Sequence, residues 1–519
     1  MKDAYPQGSK AIQASPAHCY RWGGTWVDFN EAREHFAVVG STGSGKTVVI
    51  RLLLQSLLPR IGTTPGRKIR ALVYDAKVDM LSKIFGMGAS CHIATLNPMD
   101  ARGFSWAISE DITTIPDAEE LAATIVPEQS SDSQPYFANT SRALLGGVVT
   151  ALCSAVGRSR SRAKSGEQGL YWWGLRDIVL ACKSKSRLKA ILQSCPDTED
   201  LVEHFANTDT FNNVKSTLDS HIRKFRPIAA AWHYAKGRMN LKEWIQSESV
   251  LVLGNSDTAR QQVDRLNRLI FEHLSKLLLN RPGEVKEDET WICLDEMREA
   301  GNLPGLRQVL LRGRSKGCAV VLGFQDIGGV DAVYPDGEGR ELLGCAKNFA
   351  ILHLHASAET TRRWASDAIG QVERTKISVS TTENSGKDGK SFGFNTNYDR
   401  ETVPQILPSE LYAGIPKPSA EGIFGVFLGG HVMAKQRLDA GWVFGPDGLK
   451  YGGEKPDFVE RPAEHYQLPD WSVQEVTERL RIPGLLPALL QEQNSESPPS
   501  APAPKKQAMR LDELLSSEQ

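Results

Sequence analysis

Several signals that would place this 519-residue chain in a special class are missing. Its eight cysteines (Cys19, Cys91, Cys153, Cys182, Cys195, Cys293, Cys318 and Cys345) form no CxxC pair and have no histidine at zinc-site spacing. That argues against a zinc finger or a disulfide framework and favours a reducing, cytoplasmic compartment. Met1 to Pro16 is polar, without the apolar core of a secretory signal. The longest apolar run, 143–156, is shorter than the roughly 18 to 20 residues of a spanning helix and contains Gly146, Gly147, Thr150 and Ser154, so a buried helix is expected there. A net charge of −1 excludes a generally basic nucleic-acid binder, leaving only local patches for such a role. With 40% hydrophobic and 24% charged residues, the composition is that of a globular protein of more than one domain.

What is present begins with Gly40-Ser41-Thr42-Gly43-Ser44-Gly45-Lys46-Thr47, which fits GxxxxGKS/T at every position. The apolar segment 35–39 precedes it as a strand and 48–54 follows as a helix, the context a phosphate-binding P-loop requires. Glycines let the backbone curl with its N–H groups inward, and the helix N-terminus adds its positive dipole end. Lys46 is expected on the β and γ phosphates of ATP and Thr47 on the bridging Mg2+.

Further strands are expected at 69–74, 91–96, 250–253 and 318–323, with a helix at 259–279 where Val263, Leu266, Ile270, Leu274 and Leu277 keep helical spacing. Trp291-Ile292-Cys293-Leu294-Asp295-Glu296 reads as a strand ending in a Walker B pair. Asp295 would hold magnesium through its water shell and Glu296 would polarise the attacking water. Gln325, ending the 318–323 strand, suits a γ-phosphate sensor. Arg314 is either an arginine finger on a neighbouring subunit's ATP or one half of a structural ion pair.

Between these parts the pattern turns helical. The division expected is an entry segment at 1–34, an α/β nucleotide-binding domain at 35–104 and 246–435, an inserted all-α domain at 105–245, a C-terminal extension at 436–491 and a disordered Ser/Pro/Ala tail at 492–519. In the entry segment Trp22, Trp26 and Phe29 are expected to cap the core of the sheet, the alternative being the nucleotide pocket. Residues 378–397 read as an exposed loop or hairpin, and 423–431 as the start of a closing hairpin. The tail ends in Met509, Leu511, Leu514 and Leu515, either frayed or docked on a partner.

Residues 140–242 carry 17 Lys and Arg against 8 Asp and Glu, a surplus that nearly vanishes when the window is widened to residue 105. Candidate DNA-contacting clusters are Arg158, Arg160, Arg162 and Lys164; Lys183, Lys185, Arg187 and Lys189; and Arg223, Lys224 and Arg226. A solvated helix face is the alternative for each.

The order of parts, GSTGSGKT at 40–47, VYDAK at 73–77, LNPMDARGFSW at 96–106, WICLDE at 291–296 and GFQD at 323–326, resembles the type IV coupling proteins of the TraG/TraD/TrwB kind over roughly residues 20–430. The resemblance implies a RecA-like P-loop ATPase core with a mostly parallel sheet, working as a homo-hexamer. It implies a motor that takes relaxase-bound single-stranded DNA, within a relaxosome, to a type IV secretion channel. It supports the roles given above to Lys46, Thr47, Asp295, Glu296, Gln325 and Arg314. Such proteins usually begin with transmembrane helices, whereas here the P-loop starts 39 residues after Met1. A separate membrane anchor, peripheral attachment at the inner membrane, or a soluble translocase is therefore expected. Two other readings stay open: a nucleotide-dependent receptor recruiting secreted proteins, and a HerA/FtsK-like double-stranded DNA pump.

Overall fold

A computed structural model describes residues 19–127, 135–256, 258–386, 389–429, 432–439, 443, 449 and 455–495. The expected tail docking at 509–515, the linker at 496–506 and the first residues of the entry segment lie outside them. The described chain forms two compact units, Met1–Asp111 with Lys224–Leu468, and Ile112–Arg223 with Pro469–Gln519.

The first unit opens on a hairpin of β1 (Cys19–Trp22) and β2 (Thr25–Asp28). Then come β3 (Phe36–Val39), β4 (Lys68–Asp75), β5 (His92–Thr95), β6 (Ser105–Trp106), β7 (Arg238–Met239), β8 (Ser249–Gly254), β9 (Asp288–Leu294), β10 (Cys318–Phe324) and β11 (Asn348–Ile351). A long ribbon of β12 (Gln371–Gly386) and β13 (Gly389–Pro404) precedes β14 (Gly422–Gly429) and β15 (Val432–Asp439). Nine strands form one sheet in the order β15-β14-β11-β3-β10-β9-β4-β8-β5. All pairings from β11 to β5 are parallel, and β14 alone in this sheet runs the other way, pairing antiparallel with β11 on one side and β15 on the other.

The middle residues of the parallel strands are apolar and buried because helices cover the sheet and leave neither side to water, while charged residues such as Lys68, Arg70, Asp288 and Glu289 fall toward the strand starts. The helix Lys46–Leu57 packs Val49, Ile50, Leu52, Leu53, Leu54 and Leu57 into this core, at about 2 kcal/mol per fully buried aliphatic side chain. Trp22 and Phe29 are buried in the same core, as expected, whereas Trp26 on β2 is half-buried and stays outside it. Tyr20 stands edge-on to Trp291, and its hydroxyl donates to the buried Glu289, which also pairs with Arg67.

The second unit is helical. Its longest helix, Pro135–Arg162, lies among Ile115–Ile125, Lys185–Leu192 and Thr208–Ile222. By length and composition this helix could cross a membrane, yet 72% of its apolar window is buried inside the protein. It is therefore a core helix, because its lipid-like face is already covered by its neighbours.

The units divide the chain differently from the expected 105–245 insertion and 436–491 extension, and polar contacts give the reason. Residues on both sides of the insertion stay with the α/β unit: β6 pairs with β7, and the Asp111 carboxylate accepts from Trp106 Nε1 (2.6 Å) and the backbone N–H of Leu241 (2.8 Å). Residues 469–492 join the helical unit instead. Arg187 pairs with Asp470 (2.7 Å) and Glu492 (2.8 Å), Arg176 with Glu475, and Arg479 with the buried Asp177 (2.8 Å). Trp471 Nε1 also donates to Asp177 (2.7 Å).

Candidate nucleotide site

Because β3, β10 and β9 are adjacent and parallel, their carboxyl ends deliver three segments to one place: the P-loop after Val39, Gln325 after Phe324, and Asp295-Glu296 after Leu294. Strand ends of this kind are where ligands gather in open α/β sheets. A cleft of about 490 Å³ there is lined by residues 41–48, Lys77, Gln325, Pro418, Ser419, Gly422 and Ile423.

The P-loop turns through left-handed conformations at Gly43 (φ 75°) and Gly45 (φ 96°), which side chains rarely adopt. Its flank is braced by the chain after β11: Ser41 N–H donates to the His353 carbonyl (3.0 Å), and the His355 N–H donates to Ser41 Oγ (2.7 Å). Lys46, 7% exposed, donates to the Gly40 carbonyl (2.8 Å). Burial holds its ammonium below the ordinary lysine value, with Glu296 opposing that shift.

Thr47 Oγ1 donates to Asp295 Oδ2 (3.2 Å), while Asp295 Oδ1 is buried without a hydrogen-bond partner among the described residues. A buried carboxylate oxygen left open beside a hydroxyl suits a hydrated magnesium. Among the described residues no group of three His, Cys, Asp or Glu could hold a metal by itself. Desolvation raises both Asp295 and Glu296 above their usual carboxylate values, opposed mainly by Lys77 at the first and Lys46 at the second.

Gln325 joins the two halves of the site. Its Oε1 accepts from Thr42 Oγ1 (3.1 Å) and its Nε2 donates to Glu296 Oε2 (3.1 Å). The β10 backbone can lie this close only because residue 323 is glycine, where an added Cβ would stand 2.1 Å from the Asp295 carbonyl oxygen.

Gly40 to Thr47, Asp295, Glu296 and Gln325 thus converge as read from the sequence. Arg314 does not join them. It sits before β10, at the opposite end of the strands, and pairs with Glu34 (2.9 Å), which also meets Lys347 (2.8 Å). Arg223, Lys224 and Arg226 lie on the turn Arg223–Phe225 and the start of the helix Arg226–His233, also outside the cleft. Within the helical unit, Lys183 and Arg187 of the second basic cluster are engaged by Asp470, so Arg187, 1% exposed, is structural.

Lys77, Gly323, His355 and the 418–423 wall were given no role in the sequence reading. The position of Lys77 at a strand end was the available signal. Nothing local marked 418–423, which reaches the P-loop through the pairing of β14 with β11.

Residues 20–424 match the family model for the type IV secretion-system coupling protein DNA-binding domain. The coupling protein TraD of Escherichia coli (strain K12) is 21% identical over 390 residues, 73% of this chain and 49% of TraD, so the chain spans about half the length of that relative. The unbound monoclinic form of the bacterial conjugative coupling protein TrwBdeltaN70 superposes with a TM-score of 0.62 at 19% identity, covering 86% of this chain and 93% of that one. The plasmid coupling protein TrwB in complex with ADP and Mg2+ gives 0.61 at 20%, covering 87% and 94%. The fold is therefore the RecA-like α/β fold of these proteins, and the chain belongs to the type IV secretion-system coupling protein DNA-binding domain family.

Proposed function

Since the chain belongs to this family, we propose that it is an ATP-hydrolysing motor that binds DNA and couples a relaxase-bound single strand to a type IV secretion channel. The observation that carries the hydrolytic part is the Thr42–Gln325–Glu296 chain of hydrogen bonds. It ties a residue beside the nucleotide phosphates to a buried carboxylate suited to orient water, which a protein that merely holds nucleotide does not need.

In this reading the P-loop N–H groups and Lys46 bind the phosphates of ATP. Thr47 and Asp295 hold Mg2+, which neutralises the charge of the transferred phosphoryl group. Glu296 is the base for the attacking water, and Gln325 holds Glu296 and reports the phosphate state to the loop at Thr42. Arg314 lies too far along the strands to serve its own site, so a role for it in hydrolysis belongs to a ring in which it reaches a neighbour. Arg223, Lys224 and Arg226 are the proposed DNA contacts, and a homo-hexamer with relaxosome and secretion-channel partners is the proposed working state. The complex of the structurally similar TrwB with ADP and Mg2+ supports the cofactor assignment.

The test is ATP turnover by the full chain with and without single- and double-stranded DNA over a salt series. Stimulation by single strands that fades with salt is expected. Equal or greater stimulation by duplex would replace the reading with a double-strand pump, and no stimulation at low salt would overturn the DNA-motor reading.

A further inference from the structure

The turn after β4 is built with more constraint than a surface connection needs, and it ends at the nucleotide cleft. Asp75 is buried, and its carboxylate accepts the backbone N–H groups of Asp79 (3.1 Å), Met80 (3.0 Å) and Leu81 (3.2 Å). Asp79 in turn pairs with Arg51 (2.7 Å), a residue of the P-loop helix, and with Lys83 (2.8 Å). The turn is thereby fastened to the helix whose N-terminus faces the cleft.

Held inside this frame, Val78 takes a left-handed conformation (φ 57°). A β-branched side chain there is strained, and such strain persists only where the surroundings over-determine it. Its direct neighbour is Lys77, which lines the cleft with the P-loop and Gln325. Lys77 is exposed and makes no hydrogen bond or ion pair among the described residues, although its charge acts on Lys46, Asp295 and Glu296. Of the charges acting on Asp295, that of Lys77 is the strongest.

A lysine held by a strained, anchored turn, facing a phosphate cradle and lacking a protein partner, has the chemistry of an anion ligand. We propose that Lys77 is a second phosphate-binding cation, whose ammonium meets the terminal phosphate of a bound nucleoside triphosphate and makes the site distinguish triphosphate from diphosphate. This rests on the nucleotide-binding reading above. Lys46 is fixed within the P-loop and serves either nucleotide, whereas Lys77 arrives from a different strand and acts where the two nucleotides differ. The Asp75–Arg51 frame then positions Lys77 and does not itself touch the ligand.

The experiment is calorimetric titration of the full chain with magnesium and either a non-hydrolysable ATP analogue or ADP, for the wild type, Lys77→Ala and Lys77→Arg. For Lys77→Ala, affinity for the analogue should fall about tenfold, while ADP affinity changes less than about twofold. Lys77→Arg should recover much of the analogue affinity. Equal losses for both nucleotides, or no loss for either, overturn the proposal and leave nucleotide binding standing. A wild type that binds neither nucleotide overturns the nucleotide reading itself, and the proposal with it.

Discussion

The charged side chains that tie the helical unit together and those beside the nucleotide cleft stand in opposite conditions. In the helical unit the buried or half-buried arginines 176, 187 and 479 meet Asp177, Asp470, Glu475 and Glu492 at hydrogen-bond distance. Beside the cleft of the α/β unit Asp295 keeps a buried oxygen open, and the exposed Lys77 makes no hydrogen bond or ion pair among the described residues. Mutually satisfied charge holds parts of a protein together; buried charge with an open valence is organised around something that arrives later.

Four measurements would break or sharpen this contrast. The largest effect is expected at the proposed base: Glu296→Gln should lower ATP turnover by about a hundredfold or more while leaving the unfolding midpoint nearly unchanged. Turnover close to wild type would remove Glu296 from hydrolysis. Next, Asp177→Ala should cost the helical unit about 3 to 5 kcal/mol in denaturant unfolding, because Arg479 and Trp471 lose a buried partner. Nucleotide affinity should hold, and its collapse would show that the division of labour between the units is wrong.

The third measurement is pH dependence. Desolvation acts to raise Glu475, but the hydrogen bonds from Arg176 and the Ser472 N–H together with the charges of Arg176 and Arg479 outweigh it and bring the carboxyl down to about 2 from 4.5. A depressed carboxylate contributes stability that is complete above its unfolded value and lost as pH falls toward the folded one, here from 4.5 to about 2. Comparing melting of wild type and Glu475→Gln across that window should show acid loss that is smaller in the variant, and parallel curves would refute the assignment. The smallest effect is expected at Val78→Gly. Relief of the left-handed strain should stabilise the α/β unit by up to about 1 kcal/mol, read by denaturant unfolding. Preference for triphosphate should weaken as Lys77 gains freedom, and an unchanged preference would mean that the turn does not position it.

The parts of the site that were legible in the sequence are contiguous in the chain. The P-loop, Walker B and GFQD each carry strand, turn and functional residue within about ten positions, and a parallel sheet then brings their ends together. Gln325 could be named as a sensor, but its dual bond to Thr42 and Glu296 depends on β10 lying between β3 and β9, which is a matter of strand order. The arginine clasp was not legible. Arg187 stands 283 residues before Asp470, and in the sequence it reads as one member of a basic cluster. Val78 was hidden for a different reason: valine ordinarily disfavours the conformation it holds, so residue type points away from the observed turn.

Strand β10 has a mechanical consequence of its own. It is hydrogen-bonded to β3 on one side and to β9 on the other, so it resists bending within the sheet. Seven residues at about 3.3 Å each make it a strut about 23 Å long. Gln325 is fixed to one end, and the short helix Gly313–Lys316, carrying Arg314, adjoins the other. The strut therefore sets a fixed spacing between the cleft, where Gln325 stands, and the opposite rim of the sheet, where Arg314 stands.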